Sequence, residues 1–237
     1  MKQFYKIAGL TVEMESFGRT VTQAEPYRCE EAPADIVITS RAEELKEQQP
    51  HLSLEDCEYL STGSSFYRQL LEYDGLMLHA SAVVRDGYAY LFSAPCGTGK
   101  STHTKLWRKV FGDDNVFILN DDKPALRLEN GVWYACGTPW SGKTAQNVNT
   151  KVPLAGICFL RRGEKNTIEP FSGPMAIFSL LEQTSRPSGE KIRSRLLELL
   201  DKLLTTVPVW QMACNMEDDA PTTSYTAMSA AIKHKGE

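Results

Sequence analysis

The sequence predicts an α/β fold, a mixed β-sheet core flanked by helices and preceded by a small β-rich N-terminal lobe. Two apolar, β-favouring runs, Leu76–Val84 and Tyr88–Phe92, flank Arg85-Asp86-Gly87, an Asp-Gly hairpin signal. A glycine-rich turn follows the second run and leads into a helical stretch to Phe111, where Gly112 is placed to end it. Beyond it, tight hairpins alternate with helices, the pattern of a mixed rather than a purely parallel sheet.

Taken in order, Thr11–Met14 and Asp35–Thr39 read as strands, the second from its β-branched residues. Ser40 is the expected N-cap of a short helix through Lys46, closed by Pro50. The lobe is expected to span 1–74 and the core 75–237. Within the core, Val116–Leu119 is a strand ending in Asn120-Asp121-Asp122, and Lys123–Leu128 and Val132–Cys136 form a hairpin about Asn130-Gly131. Leu154–Leu160 is a buried strand, with Thr167–Phe171 its expected partner. Gly173–Glu182 and Gly189–Thr205 are helical, the second gathering Ile192, Leu196, Leu199, Leu200 and Leu203 on one face. Val209–Cys214 is a late strand, and Pro221–Lys233 a closing helix with Pro221 in its first turn.

Composition narrows the function. The 237 residues are 42% hydrophobic, 24% charged and 9% aromatic, values of a globular protein. Lys and Arg total 26 against 30 Asp and Glu, a net charge of −4, which argues against a nucleic-acid partner. The 6 cysteines include no C-x-x-C pair and read as scattered reduced thiols in a cytoplasmic protein. With no apolar leader and no long apolar run, neither export nor a membrane partner is expected.

The glycine-rich turn, Gly97-Thr98-Gly99-Lys100-Ser101, lies between a strand and a helix, the context in which backbone N–H groups and a helix N-terminus cradle phosphate. Pro95, Cys96, Gly97, Thr98, Gly99, Lys100, Ser101 and Thr102 are the candidate nucleotide-binding residues. Lys100 would reach the β- and γ-phosphates, and Ser101 a metal ion. The pattern departs from a full P-loop at its first position, where Ala94 replaces glycine. Asp121 and Asp122 are the candidate acids for metal and proton transfer. His79, in the run leading to the loop, is a candidate for orienting one of them. His51, His103 and His234 read as structural or surface residues.

Three segments together, Leu78-His79-Ala80-Ser81-Ala82-Val83-Val84, Tyr90 through Thr102 and Leu119-Asn120-Asp121-Asp122, resemble the catalytic core of the HPr kinase/phosphorylase family. The resemblance is good over Leu76–Leu160. It implies ATP and Mg²⁺ as cofactors, His79 hydrogen-bonded to the first aspartate, Asp121 as general base, and Asp122 with Ser101 at the metal; sequence leaves open which carboxylate is the base. The downstream [LIM]-E-[LIVM]-R-G signature of bifunctional members is missing, which speaks against phosphorylase activity and against HPr as substrate. In its place stands Gly137 through Thr144, similar to the corresponding segment of smaller HPr-kinase-like proteins, some of which phosphorylate peptide or free serine. Ser141 and Lys143 there, and Arg161 and Arg162 after the Leu154 strand, are candidate substrate or phosphate contacts.

The expected activity is transfer of the γ-phosphoryl group of ATP to a hydroxyl, a serine of a protein, peptide or small molecule. The alternative is a nucleotide-binding regulator or accessory protein without transfer. A GTPase is disfavoured by the lack of N-K-x-D, and a carboxykinase by chain length. The resemblance also raises a homo-oligomer.

Overall fold

The structure, a computed structural model, describes residues 2–233. His234 lies outside them. The chain begins with strands β1 (Gln3–Ile7) and β2 (Leu10–Met14), an antiparallel hairpin, followed by helix α1 (Gly18–Ala24). Strand β3 (Ile36–Ile38) joins parallel to β2 and completes a three-stranded sheet. Helix α2 (Ala42–Gln48) begins later than expected: Arg41 holds the cap position, and Ser40 Oγ accepts from the Ala42 N–H at 3.3 Å instead of capping. Helix α3 (Leu54–Leu70) has no counterpart in the sequence reading. Ser53 Oγ caps it, accepting the Asp56 N–H at 3.0 Å, with Glu55 and Asp56 favourable in its first turn.

The second sheet has nine strands. They are β4 (Gly75–Met77), β5 (Ala80–Arg85), β6 (Tyr88–Ser93), β7 (Phe117–Asn120), β8 (Ala125–Glu129), β9 (Val132–Cys136), β10 (Lys151–Arg162), β11 (Thr167–Pro170) and β12 (Val209–Cys214). Helix α4 (Lys100–Phe111) follows β6, α5 (Pro174–Glu182) and α6 (Glu190–Thr206) precede β12, and α7 (Asp219–Lys233) closes the fold. The mixed sheet expected from the hairpins is present, with β6, β10 and β12 parallel and β5 antiparallel to β6.

Two strand expectations need correction. Leu76–Val84 is two strands, β4 on β8 and β5 between β6 and β7. The chain breaks at Leu78-His79, where the His79 N–H goes to the Gln183 carbonyl at 2.7 Å and the Ala80 N–H to the Asp122 carbonyl at 3.1 Å. Thr167–Pro170 pairs with β12 rather than with β10, because β6 and β12 already occupy the two sides of β10.

Helices cover both faces of this sheet. On one, Trp107 of α4 and Met228 of α7 pack against Val83, Phe92, Cys158 and Met212. On the other, Leu196, Leu199 and Leu203 of α6 pack against Leu91, Ile157 and Phe159. A third cluster joins the N-terminal sheet (Ile7, Val12, Ile36) to Phe66 and Tyr67 of α3 and to Trp140, Ala125 and Cys136. Among the described residues no helix is long and apolar enough to cross a membrane.

Glu58, on α3, is fully buried. One oxygen accepts from the Thr20 hydroxyl, and among the described residues the other makes no hydrogen bond of normal geometry. Burial pushes its carboxyl up to about 7, against the Thr20, Phe17 and Arg19 contacts that favour the charged form. A carboxyl raised in the folded state holds its proton while the unfolded one, near about 4.3, has lost it, so stability falls as pH rises between those values and stays low above them. Glu58→Gln should therefore be more stable than the parent at pH 7.5, by roughly 3 kcal/mol at about 1.4 kcal/mol per pH unit, and nearly equal at pH 4. Thermal melts across pH check this; parallel curves for the two proteins would exclude Glu58 as the source.

Candidate functional site

Topology brings four strand ends together. Ser93 at the end of β6 stands opposite Ala80 at the start of β5 and Phe159 near the end of β10, and Asn120 at the end of β7 stands opposite Ala82. His79, the glycine loop, the acid pair and Arg162 therefore open at one end of the sheet, where α/β proteins form their ligand crevices.

The loop from Ala94 to Gly99 is held open. Gly97 and Gly99 take φ of 76° and 124°, and nothing lies within 4 Å of where a Cβ would stand at either, so the backbone faces free space. Ala94 is absent from the positive-φ residues, which explains how alanine serves where the P-loop pattern has glycine. Pro95 and Cys96 are exposed, Thr98 and Ser101 half-buried, and Thr102 exposed in the first turn of α4. Lys100 is 8% exposed, and its ammonium donates to the Ala94 carbonyl at 2.9 Å. Burial lowers its pKa, opposed chiefly by the charge of Asp122. Arg162 Nη2 donates to the Gly97 carbonyl at 2.9 Å, placing a guanidinium against the loop. Arg161 is exposed, and strand alternation puts it on the opposite face of β10.

The two carboxylates are fixed by Asn120, which is fully buried. Its amide donates to the Thr138 carbonyl at 3.0 Å, while its Oδ1 accepts the N–H groups of Asp122 and Lys123 at 3.0 and 2.8 Å, an Asx turn. Asp121, 5% exposed, accepts from the Ser81 hydroxyl at 2.6 Å and the Thr144 hydroxyl at 2.9 Å. Ser81 also contacts Thr104 of α4 at 2.8 Å, which links this acid to the loop helix. His79 does not bond the first aspartate, as the resemblance implies. Its Nε2 lies 3.2 Å from Asp122 Oδ1, because the Asx turn swings the second acid toward it while hydroxyls retain the first. Gln183 Oε1 holds His79 Nδ1 from behind at 3.0 Å. The other Asp122 oxygen pairs with Lys123. Burial pushes the Asp122 carboxyl up, but His79 and Lys123 together outweigh it and hold it at about 2.

The segment after β9 closes over this pair. Trp140 is fully buried and stacks on Phe66 with ring centroids 4.9 Å apart. Ser141, expected as a substrate contact, is 1% exposed and its hydroxyl is engaged by Gln23 at 3.2 Å and Asn147 at 2.9 Å, so it has no free face for a ligand. Gly142 packs against Asp122 and donates its N–H to the Tyr59 hydroxyl at 2.8 Å. Lys143 is exposed. Of the other histidines, His51 is exposed, and His103 is buried against Ser224 and Trp107, where burial depresses its pKa to about 3.

Asn120, Ser81, Thr144, Lys123 and Gln183 escaped the sequence reading. Only Asn120 carried a signal, its position at the head of a turn. Among the described residues no cluster of three or more His, Cys, Asp or Glu forms a metal cage. The donors at hand, two carboxylates with the Ser101 hydroxyl, are all oxygen, and fit a hard cation such as Mg²⁺ that takes its other ligands from phosphate and water.

Fold and site together define a mixed-sheet α/β protein with a glycine loop and two carboxylates at one sheet end. The chain belongs to the ScmC family: residues 51–226 match the family described as SynChlorMet cassette protein ScmC. Among solved structures, the Hpr(Ser) kinase/phosphatase from Coxiella burnetii is similar with a TM-score of 0.39 and 14% identity, over 67% of this chain and 98% of that one. That likeness is too distant to carry function. No curated protein matches the chain.

Removing the Lys123 charge should release Asp122. In Lys123→Met, burial is opposed by His79 and the Lys100 charge without the Lys123 ion pair, and the carboxyl should rise above about 2. Titration of the side-chain carboxyl carbon by NMR reads this directly; an unmoved Asp122 would mean that Lys123 does not hold it.

Proposed function

We propose that this protein is an ATP-dependent kinase that transfers the γ-phosphoryl group to a hydroxyl, with a serine of a peptide, protein or small molecule as acceptor. The observation that supports it best is the meeting of the open glycine loop, the buried Lys100 ammonium and the His79-bound carboxylate of Asp122 at one end of the sheet. Bound ATP would supply the phosphoryl group, and Mg²⁺ the neutralisation of its charge.

The chain's own residues then divide the work. Loop N–H groups from Gly97 to Ser101 and the N-terminus of α4 would hold phosphate oxygens. Lys100 would exchange the Ala94 carbonyl for them, and Arg162, already on the loop, would lend a second positive charge. Asp121 and Ser101 would hold the metal. Asp122 would take the acceptor hydroxyl proton as the oxygen bonds to phosphorus and the bond to the departing diphosphate breaks; His79, fixed by Gln183, would keep it aimed. The two acids thus exchange the roles carried over from the family resemblance, because the more accessible one faces His79. The segment through Asp74, with α3, would meet the acceptor.

Incubation with labelled ATP·Mg²⁺ and serine-bearing acceptors tests this. Lys100→Ala should weaken nucleotide binding at least about tenfold and abolish transfer, while Asp122→Asn should keep nucleotide affinity and lose about 10²–10⁴ in rate. Full turnover by Asp122→Asn would remove it as base. ATP-dependent partner binding without any phosphoproduct would instead favour the regulator.

A further inference from the structure

We propose that the cleft beside Asp122 is a specificity pocket for the acceptor, taking a bulky apolar side chain next to the hydroxyl-bearing residue of a peptide, and that the groove beyond it holds an acidic stretch of the same peptide. The proposal rests on the kinase reading above.

The cleft has a volume of about 160 Å³, with Tyr59, Gly63 and Tyr67 of α3, Met77, Lys123 and Trp140 among its walls. It adjoins the reacting end. Lys123, whose ammonium pairs with Asp122, lies 5.5 Å from the centroid of the Tyr59 ring, and the Tyr59 hydroxyl holds Gly142, which packs on Asp122. The back wall is rigid: Trp140 is clamped between Phe66 and Tyr67, at 4.9 and 5.6 Å between centroids, and its ring N–H donates to Thr62 at 3.3 Å. A cavity of about 150 Å³ suits a benzene-sized group, so this one takes a single ring or branched aliphatic side chain and excludes a whole drug-sized acceptor, which needs about 300 Å³ or more.

The occupant continues outward. Leu60, Ser64 and Ser185 line both this cleft and an open groove of about 740 Å³ between α2, α3 and the segment after α5. In the groove Arg41 is paired with Glu44, but Arg68 and Arg186 are exposed and form no ion pair among the described residues. An apolar socket beside the carboxylate and two guanidiniums farther along the groove, Arg68 on α3 and Arg186 in the segment after α5, complement a peptide bearing an apolar residue and then acidic ones. A free amino acid would leave the groove unused.

The test is binding, measured by fluorescence anisotropy of short labelled serine peptides on the full chain, with phosphate transfer followed separately. Peptides with Leu or Phe beside the serine and Asp or Glu beyond should bind roughly tenfold or more tighter than peptides with Gly and Lys at those places. Ser64→Phe, on an exposed position of α3, should erase the apolar preference without altering nucleotide affinity. Arg68→Glu with Arg186→Glu should reverse the acidic one, and stands in if Ser64→Phe fails to fold. Equal binding across the peptides, binding of N-acetylserine amide as tight as any peptide, or variants that bind like the parent would overturn the proposal. Selective peptide binding without any transfer would overturn the kinase reading and leave the pocket standing.

Discussion

The site depends on one buried side chain. Asn120 ends β7 and spends its amide on the Thr138 carbonyl and its oxygen on two successive backbone N–H groups. A buried amide left with unmet hydrogen-bonding groups is costly, so the turn cannot easily take another shape. That shape sends Asp121 inward to the hydroxyls of Ser81 and Thr144 and Asp122 outward to His79 and Lys123. Two adjacent carboxylates would otherwise repel and drift toward solvent. Here one is held by neutral donors and the other by cationic or cation-capable groups, so their environments differ although their positions do not.

The rest of the molecule supports that turn from two sides. The sheet supplies Ser81 and the strand ends that place the glycine loop, with Ser93 Oγ donating to the His79 carbonyl at 2.8 Å to tie β6 to the histidine. The N-terminal segment supplies Tyr59, Gln23 and the aromatic bed for Trp140, which press the 140–144 segment onto the acids. Packing in the first 74 residues thus reaches the chemistry, although among the described residues none of their charged side chains forms an ion pair with the carboxylates. Glu58 lies on α3 with Arg19 of α1 close by, so the helix that lines the cleft at Tyr59 and Tyr67 also carries a buried acid.

Sequence spoke clearly where backbone conformation demanded particular residues. The Asp86-Gly87 and Asn130-Gly131 turns take the positive φ their residues favour, and the strand–loop–helix around Gly97 and Gly99 lies where its pattern placed it. It was silent on α3, whose buried face mixes Cys57, Tyr59, Phe66 and Leu70 with Glu58, Thr62 and Gly63, so no clean apolar period marks it. It misread the run at Leu76, because a strand break made by hydrogen bonds to Gln183 and Asp122 leaves no trace in local hydrophobicity. The pairing of His79 with Asp122 was equally hidden: the Asx turn at Asn120 is local, but the approach of His79, held by Gln183, is a tertiary fact. Arg161 and Arg162 looked alike in sequence, and strand alternation alone separated the one on the loop from the one turned away.

A crystal structure with a non-hydrolysable ATP analogue and Mg²⁺ is the most direct test. The account predicts β- and γ-phosphate oxygens on the N–H groups of Gly97 to Ser101 with Lys100 turned onto them, the cation on Asp121, and Asp122 still against His79 and facing open space for a hydroxyl. An analogue bound elsewhere, or a cation held by neither acid, would contradict it.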